Sequence, residues 1–142
     1  MGNQPDAGDV TETKELRVML VEDNPEDVAF TRIILKKNKL DRNLVVAEDG
    51  KEAIKALEDL AEDGLKIPDL ILLDINLPDI SGIELLTRLK SDPRFCQISV
   101  IMLTGSNLDD DIQRSYDLGA ITYLVKPVSK DALMPVIKNI FG

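Results

Sequence analysis

Four short strings in this chain place reactive side chains directly after apolar runs. Glu22-Asp23-Asn24 follows the run ending at Val21, and Asp74 follows Leu70 to Leu73. Thr104-Gly105 follows Ile98 to Leu103, and Lys126-Pro127 follows Ile121 to Val125. If those runs are neighbouring strands, three carboxylates, a hydroxyl and an ammonium converge on one edge. Carboxylates held close together repel, and at least one pKa rises unless a cation neutralises them. Hard oxygen donors without His or Cys favour Mg2+, which keeps several waters and takes few protein ligands. A carboxylate beside such an ion can attack phosphorus and form an aspartyl phosphate. Asp74 is the candidate nucleophile. Lys126 would balance charge on the transferring group, and the Thr104 hydroxyl would bond to it once attached. Taken singly, Asp23 is also a helix-capping acid, Thr104 a turn residue and Lys126 a solvated cation; the joint pattern carries the reading.

The elements that must hold these residues alternate along the chain. The apolar runs are Leu16–Val21, Leu44–Ala47, Leu70–Leu73, Ile98–Leu103 and Ile121–Val125. Their apolarity is continuous rather than alternating, which suits parallel strands covered on both faces. Helical patterns lie between and after them. Asn24-Pro25 makes a cap and first-turn pair before Glu26 and Asp27, and the helix that follows is expected to turn Phe30, Ile33 and Ile34 inward. The second helix starts near Asp49, with Ala53, Ile54, Leu57 and Leu60 on one stripe. The third starts at Ser81 or Gly82, with Ile83, Leu86 and Leu89. The fourth is the weakest, opening on Asp109, Asp110 and Asp111 with only Ile112, Tyr116 and Leu118 apolar. The fifth carries Leu133, Val136, Ile137 and Ile140. Pro135 falls inside that last pattern and would cost up to about 3 kcal/mol in a helix interior. A later start capped by Asp131, or a local kink, is expected there. Five strands each followed by a helix predict a doubly wound (βα)5 α/β sandwich on a five-stranded parallel sheet, of flavodoxin-like type. Sites in such sheets form beyond the carboxyl ends of the strands, near a switch in strand order.

Composition narrows the function. The chain has 142 residues, 44% hydrophobic and 30% charged, which suits one domain with a real core. It contains no His, so Ser-His-Asp and Cys-His catalysis and histidine-ligated zinc are excluded, as is a histidine phosphodonor role. The single cysteine, Cys96, cannot form an intrachain disulfide and fits a reducing, cytoplasmic setting; it is a small hydrophobe or a reactive thiol. A net charge of −9 argues against nucleic acid as partner. No apolar run approaches the roughly 20 residues of a membrane span, so no membrane partner is expected. Residues 1–14 are polar and read as a disordered N-terminal tail, leaving 15–142 as the folded domain.

From about Leu16 to Ile140 the chain resembles the receiver domain of two-component response regulators. The strings that carry the resemblance are Leu20-Val21-Glu22-Asp23-Asn24, Asp69 to Pro78 continuing to Gly82, Ile101-Met102-Leu103-Thr104-Gly105, and Tyr123-Leu124-Val125-Lys126-Pro127. The resemblance implies that Asp74 is the phosphoacceptor and that Asp23 and Asp74 ligate Mg2+. Glu22 would act through a metal-bound water, and the Asn76 main-chain carbonyl would complete the site. Lys126 matches the family's lysine, with a cis bond to Pro127. Thr104, with Gly105 beside it, and Tyr123 match the phosphoryl-binding and switch positions, which bias a surface formed by the fourth helix, fifth strand and fifth helix. The side chains of Asn76 and Ser106 occupy positions that set phosphate lifetime in the family. The implied partners are a cognate sensor histidine kinase, a downstream target protein and, through that same surface, a second copy as homodimer.

The chain stops at Phe141-Gly142, just after the fifth helical pattern, which reads as a stand-alone receiver working through a separate protein or as a relay. An excised receiver would look the same. The Glu22–Asp27 stretch and the loop from Glu62 to Pro68 resemble stand-alone receivers that serve phytochrome-type kinases. An aspartyl-phosphate phosphatase would need an aspartate two residues past the nucleophile, where Asn76 stands. A nucleotide-binding module would need glycines in the acidic Glu22 to Pro25 loop. A receiver acting by contact alone, without phosphorylation, is the remaining alternative.

Overall fold

The computed structural model describes residues 16–107 and 110–142. The expected tail (residues 1–14) and the proposed helix-opening Asp109 lie outside the described residues. The strands are β1 (Val18–Val21), β2 (Val45–Ala47), β3 (Leu70–Asp74), β4 (Ser99–Thr104) and β5 (Thr122–Val125). The helices are α1 (Pro25–Lys37), α2 (Gly50–Glu62), α3 (Gly82–Ser91), α4 (Asp111–Asp117) and α5 (Lys130–Phe141). All strand pairs are parallel, in the order β2-β1-β3-β4-β5, which is the flavodoxin-like arrangement.

Alternation along the strands divides the core in two. Met19, Val21, Ile71, Leu73, Val100 and Met102 face one side, where Ala53 and Leu57 of α2 and Leu85, Leu86 and Leu89 of α3 pack. Val18, Leu20, Leu70, Leu72, Ile101 and Leu103 face the other, under Leu35 of α1 and Leu133 and Ile137 of α5. Both faces are covered, so β1, β3 and most of β4 are buried at every position and read as continuous apolar runs.

Two expectations are corrected. On α1, Phe30 and Ile33 are 45% and 51% exposed, while Thr31 and Leu35 are buried. The inward stripe is centred on Thr31 and Leu35, flanked by half-buried Val28 and Ile34, so the two large apolar residues lie on the opposite side. A threonine at the middle of the stripe hides it from an apolar pattern. On α5 the helix starts early, not late: Ser129 is the cap, its hydroxyl accepting from Ala132 N at 3.2 Å. Pro135 is therefore inside the helix. It faces solvent, where the carbonyl left without its amide partner can be hydrated.

The helices opening next to the site are capped by side chains. Asn24 caps α1, Asp49 caps α2 and Ser81 caps α3, each accepting from amides of the first turn. Among the described residues, no helix is long and apolar enough to cross a membrane.

Candidate phosphoacceptor and cation site

The switch in strand order lies between β1 and β3, because the chain leaves β1 for β2 on one side and returns to β3 on the other. Val21 pairs with Leu73, so the next residues, Glu22 and Asp74, emerge side by side. On the other flank of β3, Asp74 pairs with Leu103, and Ile75 N donates to the Leu103 carbonyl at 2.9 Å. Thr104 pairs with Val125, and Lys126 N donates to the Thr104 carbonyl at 2.7 Å. Parallel register alone thus brings the carboxyl ends of four strands to one edge.

The Lys126 ammonium occupies the centre of that edge. Its Nζ lies 3.1 Å from each of Glu22 Oε1, Asp27 Oδ2 and Asp74 Oδ2, which uses all three of its protons. The second oxygens of Asp74 and Glu22 are held by backbone. Asp74 Oδ1 accepts from Asn76 N at 3.0 Å, and Glu22 Oε2 accepts from Asn24 N at 3.2 Å. Glu22 and Asp74 are almost wholly buried and Asp23 is exposed, so the site opens to solvent on the Asp23 side. The peptide from Lys126 to Pro127 is cis.

Burial and the neighbouring Asp74 carboxylate push the Glu22 carboxyl up to about 7, against the opposing pull of the Asn24 amide and Lys126. Burial disfavours the charged form of Lys126, but its bonds to Asp27, Asp74 and Glu22 outweigh that and raise its pKa above the ordinary lysine value. Oxygen atoms of Glu22, Asp23 and Asp74 come within 4.8 Å of one another. A partly buried cluster with more carboxylates than the Lys126 ammonium can neutralise, all hard oxygen donors, fits a divalent cation.

Thr104 is buried, and its hydroxyl bonds with the main chain of Ser106, donating to the carbonyl at 3.0 Å. Gly105 faces open space, with nothing within 4 Å of where a Cβ would stand. Tyr123, half-buried, meets Tyr116 edge-to-face with ring centroids 6.3 Å apart, and Tyr116 Oη lies 3.0 Å from Thr122 Oγ1. Cys96 is half-buried between α3 and β4, away from the site.

Sequence reasoning missed Asp27 as a site residue, treating it only as an acid in the first turn of α1. The signal was present: Asn24 caps the helix through Glu26 N and Asp27 N, which turns the third residue of α1 back toward the strand edge. Asp79 was also missed. Its carboxylate accepts from Gly50 N at 2.9 Å and Lys51 N at 2.8 Å, a long-range contact that no local pattern announces.

Comparison with known proteins agrees with this geometry. Residues 18–138 match the response regulator receiver domain family. The chain is 35% identical over 124 residues to the response regulator Rcp1 of Synechocystis sp., covering 87% of this chain and 84% of that one. Among solved structures, the bacteriophytochrome response regulator AtBRR superposes with a TM-score of 0.77 at 38% identity, over 88% of this chain and 92% of that one. The Mn(2+)-bound form of Rcp1 superposes with a TM-score of 0.69 at 33% identity, over 88% and 91%.

Proposed function

The chain belongs to the response regulator receiver domain family, and from that premise we propose that it is a phosphorylation switch whose acceptor is Asp74. The observation that carries this reading is the contact of Lys126 Nζ with both Asp74 and Glu22 at 3.1 Å, beside exposed Asp23. That arrangement presents a nucleophilic carboxylate with its charge-balancing cation already in place.

Asp23, Asp74 and the Asn76 carbonyl would hold Mg2+ directly, with Glu22 acting through a water. A bound Mg2+ supplies positive charge to the phosphoryl oxygens and neutralises the carboxylate cluster. The donor is a phosphohistidine on a sensor kinase. An Asp74 oxygen attacks phosphorus, the new P–O bond forms as the P–N bond breaks, and the imidazole departs. Lys126 keeps Asp74 oriented and offsets charge on the transferred group. The switch is reset by hydrolysis: water attacks phosphorus, the bond from phosphorus to the Asp74 oxygen breaks, and inorganic phosphate leaves with the Asp74 carboxylate restored. The protein is a switch rather than a conventional enzyme.

After transfer, the Thr104 hydroxyl and the Gly105 backbone engage the phosphoryl group, and Tyr123 turns inward. The response is read on the face formed by α4, β5 and α5. Three large apolar side chains, Tyr116 of α4, Val125 of β5 and Ile121 just before β5, are 40 to 44% exposed. That exposure suits a downstream target protein or a second copy of the chain. The bacteriophytochrome response regulator AtBRR supports a phytochrome-type kinase as the donor, and a cytoplasmic setting suits the single free cysteine.

Beryllofluoride, which mimics an acyl phosphate on a carboxylate, provides the test. With Mg2+ it should bind wild-type protein one-to-one by calorimetry and shift the amides of Thr104 and Tyr123. No binding by folded protein would overturn the reading in favour of a contact module that works without phosphorylation.

A further inference from the structure

The loop joining β3 to α3, residues 75–81, is tied down at three places. At its start, Asn76 N donates to Asp74 Oδ1 at 3.0 Å. At its end, Gly82 N donates to the Ile75 carbonyl at 2.7 Å, and α3 presses so close that a Cβ on Gly82 would overlap the Asp74 carbonyl oxygen. The third tie is at the tip and reaches a different helix. Asp79 gives one carboxylate oxygen to Gly50 N at 2.9 Å and the other to Lys51 N at 2.8 Å, 29 and 28 residues away in sequence.

The tie is closely built. Gly50, the first residue of α2, is buried under Ile80, whose side chain occupies the space a Cβ on Gly50 would need. The third amide of α2, on Glu52, is taken by the helix's own cap, Asp49, at 2.7 Å. The first turn of α2 is therefore divided between a local carboxylate and a remote one.

We propose that Asp79 is a positioning residue for the phosphoacceptor site: by clamping the loop tip to α2, it fixes Asn76 against Asp74. Asn76 is the exposed residue of the loop that touches Asp74, and its carbonyl belongs to the proposed cation site, so this inference rests on that reading. The amides of Gly50, Lys51 and Ile80 outweigh the opposing effect of desolvation and hold the Asp79 carboxyl at about 2, so the clamp is ionised throughout the working pH range. A mobile tip would leave the main chain at Asn76 with only its bond to Asp74, and a cation ligand without support binds more weakly.

The test compares wild type with Asp79→Ala, Asp79→Asn and Asp49→Ala. Mg2+ affinity is measured by calorimetry, and hydrogen exchange of the Asn76 amide is measured without cation. Asp49→Ala removes the other cap of the same helix end and serves as the control for stability alone. Asp79→Ala should weaken Mg2+ binding by about tenfold and speed Asn76 exchange by a similar factor. Asp79→Asn, which keeps one acceptor oxygen, should fall between. Asp49→Ala should lower the melting temperature yet leave both readouts within about twofold of wild type. If Asp79→Ala does not fold, Asp79→Asn carries the comparison. Equal effects of the Asp79 and Asp49 substitutions, or unchanged Asn76 exchange in the Asp79 variants, would overturn the proposal. If wild type bound no Mg2+, the site reading would fail, and Asn76 exchange would still decide whether Asp79 positions the loop.

Discussion

Asp27 Oδ2 lies 3.1 Å from Lys126 Nζ, so the first turn of α1 holds the same ammonium that contacts the acceptor Asp74. The bond links a helix N-terminus to the end of β5 across 99 residues of sequence. Asp27→Asn would leave Lys126 with two carboxylate partners instead of three. Because the Asp27 side chain is 35% exposed, the loss of stability should sit near the low end for a charged hydrogen bond, about 1 kcal/mol. Urea denaturation checks that figure. Phosphorylation by acetyl phosphate should slow several-fold without being abolished.

Lys126→Met separates charge balance from cation binding. It removes the ammonium between Glu22 and Asp74, so transfer to Asp74 should slow by about two orders of magnitude or more. The cation site loses a competing positive charge at the same time, so Mg2+ should bind more tightly than to wild type. Calorimetry beside single-turnover phosphorylation checks both directions. Slower transfer together with weaker Mg2+ binding would contradict this account.

The pH dependence follows from Glu22. Its carboxyl rises from 4.5 in the unfolded chain to about 7 in the fold, so the folded state holds that proton more tightly. Stability of the cation-free protein should therefore fall as pH rises from about 4.5 to about 7, then level off. Cation binding runs the opposite way, because it needs the ionised carboxylate. Mg2+ affinity should increase through about pH 7, and the gain in melting temperature on adding Mg2+ should be larger at pH 8 than at pH 6. A cation effect independent of pH over that range would remove Glu22 from the site.

Gly82 tests the packing that seats Asp74. A methyl group there would meet the Asp74 carbonyl oxygen, which belongs to rigid backbone. Gly82→Ala should cost about 1–3 kcal/mol by forcing α3 away from the end of β3. Gly105→Ala, where nothing stands within 4 Å, should change stability little. Denaturant midpoints for the pair give the comparison.

Much of this was legible in the sequence because parallel register carries side chains predictably. Once the apolar runs are strands, Glu22, Asp74, Thr104 and Lys126 must meet at their carboxyl ends. Contacts between elements far apart in the chain were not legible. Asp79 reaches α2 through a loop whose shape depends on Gly82 packing against Asp74, and neither residue signals the contact by itself. Side-chain facing on α1 was misread because Thr31, a polar residue, sits on the buried stripe while Phe30 and Ile33 face solvent. The start of α5 was misplaced because the penalty for Pro135 weighed against an early start, and the Ser129 hydroxyl bond to Ala132 N that caps the helix shows only in the structure.

The most direct test of the central claim is intact mass after incubation with acetyl phosphate and Mg2+, run beside Asp74→Asn. The account predicts one added phosphoryl group on wild type, none on the variant and none without the cation. An adduct of equal yield on Asp74→Asn, or none on folded wild type, would contradict it.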